Sequence, residues 1–414
     1  MAVTAESAAG LDLERVRSDF PLLAAAPGAL PLAYLDNAAT TQKPRAVLDA
    51  ILDFYTQDCA NIHRSVHKLG ERATAHYEAA RAAARRFLNA SSDREIVFVR
   101  GATEAVNLVA QSFARSQLRP GDEVLITGLE HHSNIVPWQL ACQAAGARLQ
   151  VAPINDRGEV ELEAFARRLS SRTRIAAFAH ISNALGTVNP VAEMIALARQ
   201  AGAATLIDGA QAAPHHRIDV RALDCDFYAI SGHKMYGPTG IGVLYGKEAW
   251  LEKFPPWQGG GDMIRSVTFE ETTYNELPYK FEAGTPNIAG TIGLGAAIGY
   301  LESIGLDRIA AHESALLEYG AGRLEQVPGL RMIGTAPRKA AVLSFVMEGI
   351  HPHDVGTVLD AAGVAVRAGH HCAQPVMQHF QIAATTRASL GLYNTRQDLD
   401  RLAQGLLQAR EMFT

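Results

Sequence analysis

The chain has 414 residues, 48% apolar and 20% charged, with a net charge of −5. That length and composition allow two or three domain-sized units with substantial cores. Acidic and basic residues are interspersed, which excludes a basic stripe for nucleic acid and an acidic solvating tail. The four cysteines, Cys59, Cys142, Cys225 and Cys372, form no CxxC pair, and the first three read as buried, reduced thiols. The N-terminus carries Glu6, Asp12, Glu14 and Arg15 without an apolar core, so no signal peptide is expected. No stretch approaches the roughly 18 uninterrupted apolar residues of a membrane span, and a cytoplasmic location is expected.

In chain order, residues 11–20 are a short amphipathic helix candidate, and Pro21 to Pro31 reads as a small-residue linker. Leu32-Ala-Tyr-Leu leads into Asp36-Asn-Ala-Ala-Thr-Thr, a strand ending in a polar turn. Helical spacing follows at 44–57 and 71–88. Strands are then expected at 96–99, 124–127, 149–152, 175–179, 205–207, 227–230 and 243–245, with helices at 103–115 and 135–145. Such alternation predicts an α/β fold with a mostly parallel sheet covered by helices. From 289 the pattern changes: helices at 289–303 and 307–326, strands at 342–347 and 364–367, a helix after His353 and a last helix from Thr395. The expected division is an N-terminal segment (1–30) packing on the small domain, a large domain (31–300) and a smaller α+β domain (301–414).

One stretch concentrates the chemistry. The apolar run Phe227 to Ile230 ends in Ser231-Gly-His-Lys234, followed by a Gly/Pro-rich loop that admits a ligand closely. Upstream, another apolar run ends in Asp208-Gly-Ala-Gln211. A carboxylate there should lie in the crevice outside the carboxyl edge of the sheet. Singly, Lys234 suits a solvated loop and Asp208 a helix cap. Together, a lysine amine and an acid facing a pyridinium nitrogen are the minimal equipment for pyridoxal 5′-phosphate (PLP) chemistry.

Ile230-Ser-Gly-His-Lys-Met-Tyr-Gly-Pro-Thr-Gly, preceded by Leu206-Ile-Asp-Gly-Ala-Gln, resembles the cysteine desulfurases of the class V aminotransferase group, from about Asp19 to the C-terminus. Arg367-Ala-Gly-His-His-Cys372-Ala resembles the SufS (group II) branch. The resemblance implies PLP fold type I, with a seven-stranded large-domain sheet, a homodimer, and conversion of L-cysteine to L-alanine with a persulfide on Cys372. It also implies delivery of that sulfur to a SufE- or SufU-type acceptor for iron–sulfur cluster assembly.

Further candidates surround this pair. Arg100-Gly-Ala-Thr103 opens a helix whose free N–H groups suit an anion, or an ordinary N-cap; the family places the PLP phosphate there. Ser231 and His233 are further phosphate candidates. His131 reads as a polar loop histidine or, by resemblance, as the residue stacked on the cofactor ring and a proton shuttle; its neighbour His132 reads as a plain loop residue. Asn183 and Gln211 are candidate donors to the ring edge, and Asn183 also to the substrate carboxylate. Arg387 could clamp that carboxylate with a guanidinium fork, as its match with the family suggests. Arg367, His63 and Arg64 are weaker substrate-site candidates, the last two from a partner subunit. The resemblance also delivers Thr285 to the neighbouring subunit's phosphate. Cys372 could be a packed thiol or a nucleophile, with His370 and His371 raising its thiolate fraction.

Other readings compete. Selenocysteine lyase or another class V PLP lyase is the nearest. The histidine pairs allow a metal site, but no HExxH supports one. A nicotinamide site would need GxGxxG, which Gly293-Leu-Gly295-Ala-Ala-Ile-Gly299 misses by one residue.

Overall fold

The structure is a computed structural model and describes residues 10–24 and 32–413. Its centre is a seven-stranded sheet. The strands are β1 (Ile96–Val99), β2 (Glu123–Thr127), β3 (Arg148–Ala152), β4 (Thr173–Ala179), β5 (Ala204–Asp208), β6 (Phe227–Ser231) and β7 (Gly242–Gly246). Their spatial order is β1-β7-β6-β5-β4-β2-β3. The pairs from β6 through β3 are parallel, and β7 runs antiparallel to both neighbours. All seven are the strands expected from apolar runs, each within two residues of its expected ends.

The inner strands are buried on both faces, as parallel strands covered by helices must be. Side-chain alternation sends Phe227 and Ala229 into one core and Tyr228 and Ile230 into the other. The helix Ile288–Ile304, apolar on nearly every side, packs against the helices Arg45–Gln57 and Lys68–Leu88.

A second sheet contains β8 (Leu330–Ile333), β9 (Val342–Met347), β10 (Arg367–Gly369) and β11 (Thr385–Ser389), in the order β8-β9-β11-β10. A third core joins it to the helices Leu306–Glu325, Pro352–Ala361 and Arg396–Phe413. The strand expected over 364–367 is broken. Val364–Ala365 pairs in parallel with Ala33–Tyr34, whereas Arg367–Gly369 pairs with Thr385–Ser389. The chain changes partners at Val366, and Ala33 and Leu35 join the core of the second sheet. A hairpin, Ile264–Val267 with Thr272–Tyr274, was not expected; its residues are largely exposed and lack apolar periodicity.

The N-terminal helix is short, Leu13–Ser18. Beyond it Phe20 is buried edge-on against Tyr236, Tyr300 and Tyr393. Arg17 reaches Asp398 at 3.3 Å. This segment therefore packs on both sheets' surroundings, and not on the C-terminal unit alone. Residues 1–9 of the expected N-terminal segment, and most of the expected linker, lie outside the described residues. Among the described residues, no single helix is long and apolar enough to cross a membrane.

Candidate active site

The carboxyl ends of β2, β4, β5 and β6 converge, and the loops leaving them surround a cavity of about 290 Å³. Lys234, Asp208, His131, Thr103, Asn183, Gln211, Ser231, His233, Arg367, Arg387 and Cys372 all line it. Ligands bind in this position in open α/β sheets.

Asp208 is the last residue of β5 and is buried. Its Oδ1 accepts the Ala210 N–H at 3.0 Å. Burial pushes its pKa up, and nearby Lys234 draws it back down. The same burial lowers the pKa of Lys234, and the Asp208 charge opposes that shift. Burial dominates in both and works against the charged forms, and each group's charge is the main influence favouring the charged form of the other. Lys234 closes the turn Gly232–Lys234 after β6. That turn is anchored through the Gly232 backbone, which bonds Ile241 and Gly237, and through the His233 carbonyl, which accepts from Thr40 Oγ1 at 3.1 Å, Thr41 Oγ1 at 3.2 Å, Thr41 N at 3.0 Å and Lys43 Nζ at 3.1 Å. Among the described residues, no hydrogen bond holds the Lys234 amine itself.

The helix Ala102–Ser116 opens at the cavity, with Ser231 Oγ accepting the Ala102 N–H at 2.9 Å. Gly101 has φ 151°, a conformation side chains rarely adopt, and Gly242 crosses it so closely that a Cβ would lie 2.6 Å from Gly101 Cα. The two glycines thus let the helix start pack directly on β7, with its N-terminus opening on the cavity, a position suited to an anion.

His131 Nδ1 accepts the Ser133 N–H at 3.0 Å, so the neutral ring carries its proton on Nε2. Burial, with Lys234 close by, pushes its pKa down to about 3. His233 is lowered to about 4, mainly by burial.

Arg387, on β11, is 2% exposed, which removes the surface reading. Nη1 donates to the Asn183 carbonyl at 2.8 Å and Nη2 to Asp36 Oδ1 at 3.3 Å, but Nε is buried without a partner. Arg367 spends its fork on Asp36, at 2.8 and 3.1 Å. Asp36 was seen in sequence only as part of a polar turn. Its role as the anion between two arginines needs the pairing of the N-terminal strand with the second sheet. Asn183 donates Nδ2 to the His371 carbonyl at 2.6 Å, which leaves one of its two N–H groups free. Gln211 Nε2 donates to the Ala38 carbonyl at 2.8 Å.

Cys372 follows β10 on a turn and is exposed at the cavity rim. One expectation is corrected here. His371 is buried, its Nε2 is 2.8 Å from Thr385 Oγ1, and burial pushes its pKa to about 3. It is neutral at pH 7 and brings no positive charge to the thiol.

Within one chain, three candidates lie elsewhere. His63 pairs with Glu78 at 2.8 Å, Arg64 with Asp262 at 3.1 Å, and Thr285 lines a separate cavity of about 500 Å³.

A lysine amine that no described residue holds by a hydrogen bond, a buried acid, a helix N-terminus opening on the cavity beside Thr103 and Ser231, and an arginine with an unused N–H form a donor set that fits PLP with an amino acid. The last of these is a buried polar atom that calls for a partner.

Comparison with known proteins agrees with this chemistry. A model of the family "Aminotransferase class-V" matches residues 33–402. A cysteine desulfurase of Synechococcus elongatus is 54% identical over 96% of this chain, and this chain spans 64% of that protein's length. A probable cysteine desulfurase of Halalkalibacterium halodurans is 52% identical over 97% of this chain and 99% of that one. The crystal structure of the cysteine desulfurase CsdA from Escherichia coli superposes with a TM-score of 0.90 at 41% identity, covering 98% of this chain and all of that one.

Proposed function

Since the chain belongs to the class V aminotransferase family, we infer from its relatives and its donor set that it is a PLP-dependent cysteine desulfurase. It converts L-cysteine and the Cys372 thiol into L-alanine and a Cys372 persulfide, for iron–sulfur cluster assembly. The observation that carries the reading is one cavity lined by Lys234, Asp208, Arg387 and Cys372 together.

The N-terminus of Ala102–Ser116, with Thr103, Ser231 and His233, would hold the phosphate. Gln211, Asn183 and His131 would fix the ring. Bound PLP supplies an electron-poor ring that stabilises negative charge at an amino acid's α-carbon. Asp208 would keep a proton on the ring nitrogen, and its burial beside Lys234 suits that partnership. Lys234 would hold the cofactor covalently and, once released, move the substrate α-proton on Nζ. Arg387 orients the substrate through its carboxylate. Cys372 Sγ attacks the substrate sulfur: the new S–S bond forms as the substrate C–S bond breaks. His131 carries a movable proton on Nε2.

The finer proposals are the following. The sequence Arg367-Ala-Gly-His-His-Cys372-Ala supports the SufS type. The exposure of Cys372 supports hand-over to an acceptor protein of SufE or SufU type. The distance of Thr285, His63 and Arg64 from their own chain's cavity fits a homodimer in which they serve the other site. Four unpaired cysteines, one of them working as a thiol, suit the reducing cytoplasm. The units 31–300 and 301–414 remain our domain division.

The test is mass spectrometry after adding L-cysteine to PLP-loaded protein. One extra sulfur on Cys372 is expected, absent in Cys372→Ala. Sulfur transfer undiminished in that variant would remove Cys372 from the reaction.

A further inference from the structure

We propose that His132 is a positioning residue: a clasp that holds the Cys372 turn against the cavity in a conformation that turn would not keep alone. The inference rests on the reading of Cys372 as the sulfur-accepting thiol, but the clasp is observable without that reaction.

The turn is strained. His371 and Cys372 have φ of 52° and 53°, two successive side-chain-bearing residues in the left-handed region. Side-chain-bearing residues adopt that region at a cost, so the pair persists only where its surroundings over-determine it. Within the turn, a single backbone bond, Ala373 N–H to the His370 carbonyl at 2.8 Å, closes it. The His371 side chain is held by Thr385 of β11, and further restraints come from loops at the carboxyl edge of the large sheet. Asn183 holds the His371 carbonyl, as described above. His132 acts twice: its backbone N–H donates to the Cys372 carbonyl at 2.8 Å, and its Nε2 accepts the Gln374 N–H at 3.1 Å. One residue therefore grips the turn twice on the C-terminal side of the thiol, while Asn183 holds its N-terminal side. Its ring also lies 5.9 Å from that of His370.

Accepting an N–H requires Nε2 to be unprotonated. Partial burial and the neighbouring His370 lower the pKa of His132, which favours that state. The grip also connects two parts of the site. His132 begins the short turn His132–Asn134, whose Ser133 N–H fixes His131. The residue expected at the cofactor ring and the residue holding the thiol are adjacent in sequence and share one turn.

The experiment compares PLP-loaded wild type, His132→Ala and His132→Gln, whose side-chain oxygen can still accept. Two readouts are amide hydrogen exchange at Gln374 and the kcat and KM for alanine release. In His132→Ala, exchange at Gln374 should rise about threefold to tenfold, the net effect of one hydrogen bond lost. kcat should fall by a similar factor while KM stays within about threefold. His132→Gln should restore most of both. If His132→Ala does not fold, His132→Phe replaces it, filling the ring's volume without an acceptor. Unchanged Gln374 exchange in the acceptor-less variant, or a folded His132→Gln as defective as that variant, would overturn the clasp. Should no form, wild type included, release alanine, the desulfurase reading fails, and the exchange data still decide the clasp.

Discussion

The Asn183 carbonyl accepts a hydrogen bond from Arg387 Nη1 at 2.8 Å, while the Asn183 side chain donates to the turn carrying Cys372 at 2.6 Å. The arginine proposed to clamp the substrate and the turn carrying Cys372 are therefore tied to the same residue. Arg387→Lys keeps the charge but loses the fork and its spare N–H. KM for L-cysteine should rise about 10- to 100-fold, the worth of one charge-assisted hydrogen bond, with a smaller change in kcat. Steady-state kinetics on PLP-loaded variant checks this.

Lys234→Ala removes the amine while leaving the anchored His233 carbonyl in place. Borohydride treatment of the PLP-loaded wild type should fix the cofactor's mass on Lys234, and the variant should show none. Loss of α-proton exchange from L-cysteine or L-alanine should be about 10²- to 10⁴-fold, the usual contribution of a positioned acid–base group. Proton exchange followed by NMR measures it.

Gly242→Ala should destabilise the protein by about 1–3 kcal/mol, because the added methyl meets backbone that cannot rotate away. It would overlap the Ile230 carbonyl and lie 2.6 Å from Gly101 Cα. A lowered Tm, together with weaker PLP binding because Gly101 opens the anion site, is the expected outcome.

Acid should unfold the PLP-free protein early. His131 and His371 are held near 3, and His180 and His233 near 4, all chiefly by burial. Unfolded, each takes up its proton near 6.5. Between those values the unfolded chain binds more protons than the folded one, so stability falls as pH falls through that window. Buried Glu130 works in the opposite sense: burial raises it from 4.5 to about 7, so between those values stability rises as pH falls, an effect the four histidines outweigh. Thermal melts of PLP-free protein should show Tm decreasing from pH 7 to pH 5, and a flat profile over that range would contradict the assignment.

The large sheet was legible because its strands are continuous apolar runs ending in polar turns, and two such runs end in Asp208 and Lys234. Local pattern was enough there. It was not enough for Asp36, whose partners Arg367 and Arg387 are more than 300 residues away, or for His132, whose side-chain partner Gln374 lies 242 residues on. The direction change at Val366 was also hidden, since Val364 to Arg367 reads as one apolar-edged strand. For His371, adjacency to Cys372 suggested a charge, whereas its burial depends on contacts with β11 that sequence spacing does not reveal.

Cys372 belongs at once to the wall of the cavity and to the outer surface. A sulfur atom taken up on the inner side is already within reach of a visitor from outside. If Cys372 carries the sulfur as proposed, loading and unloading would need no long-range swing of the chain, and the cavity could keep its cofactor while the cargo departs.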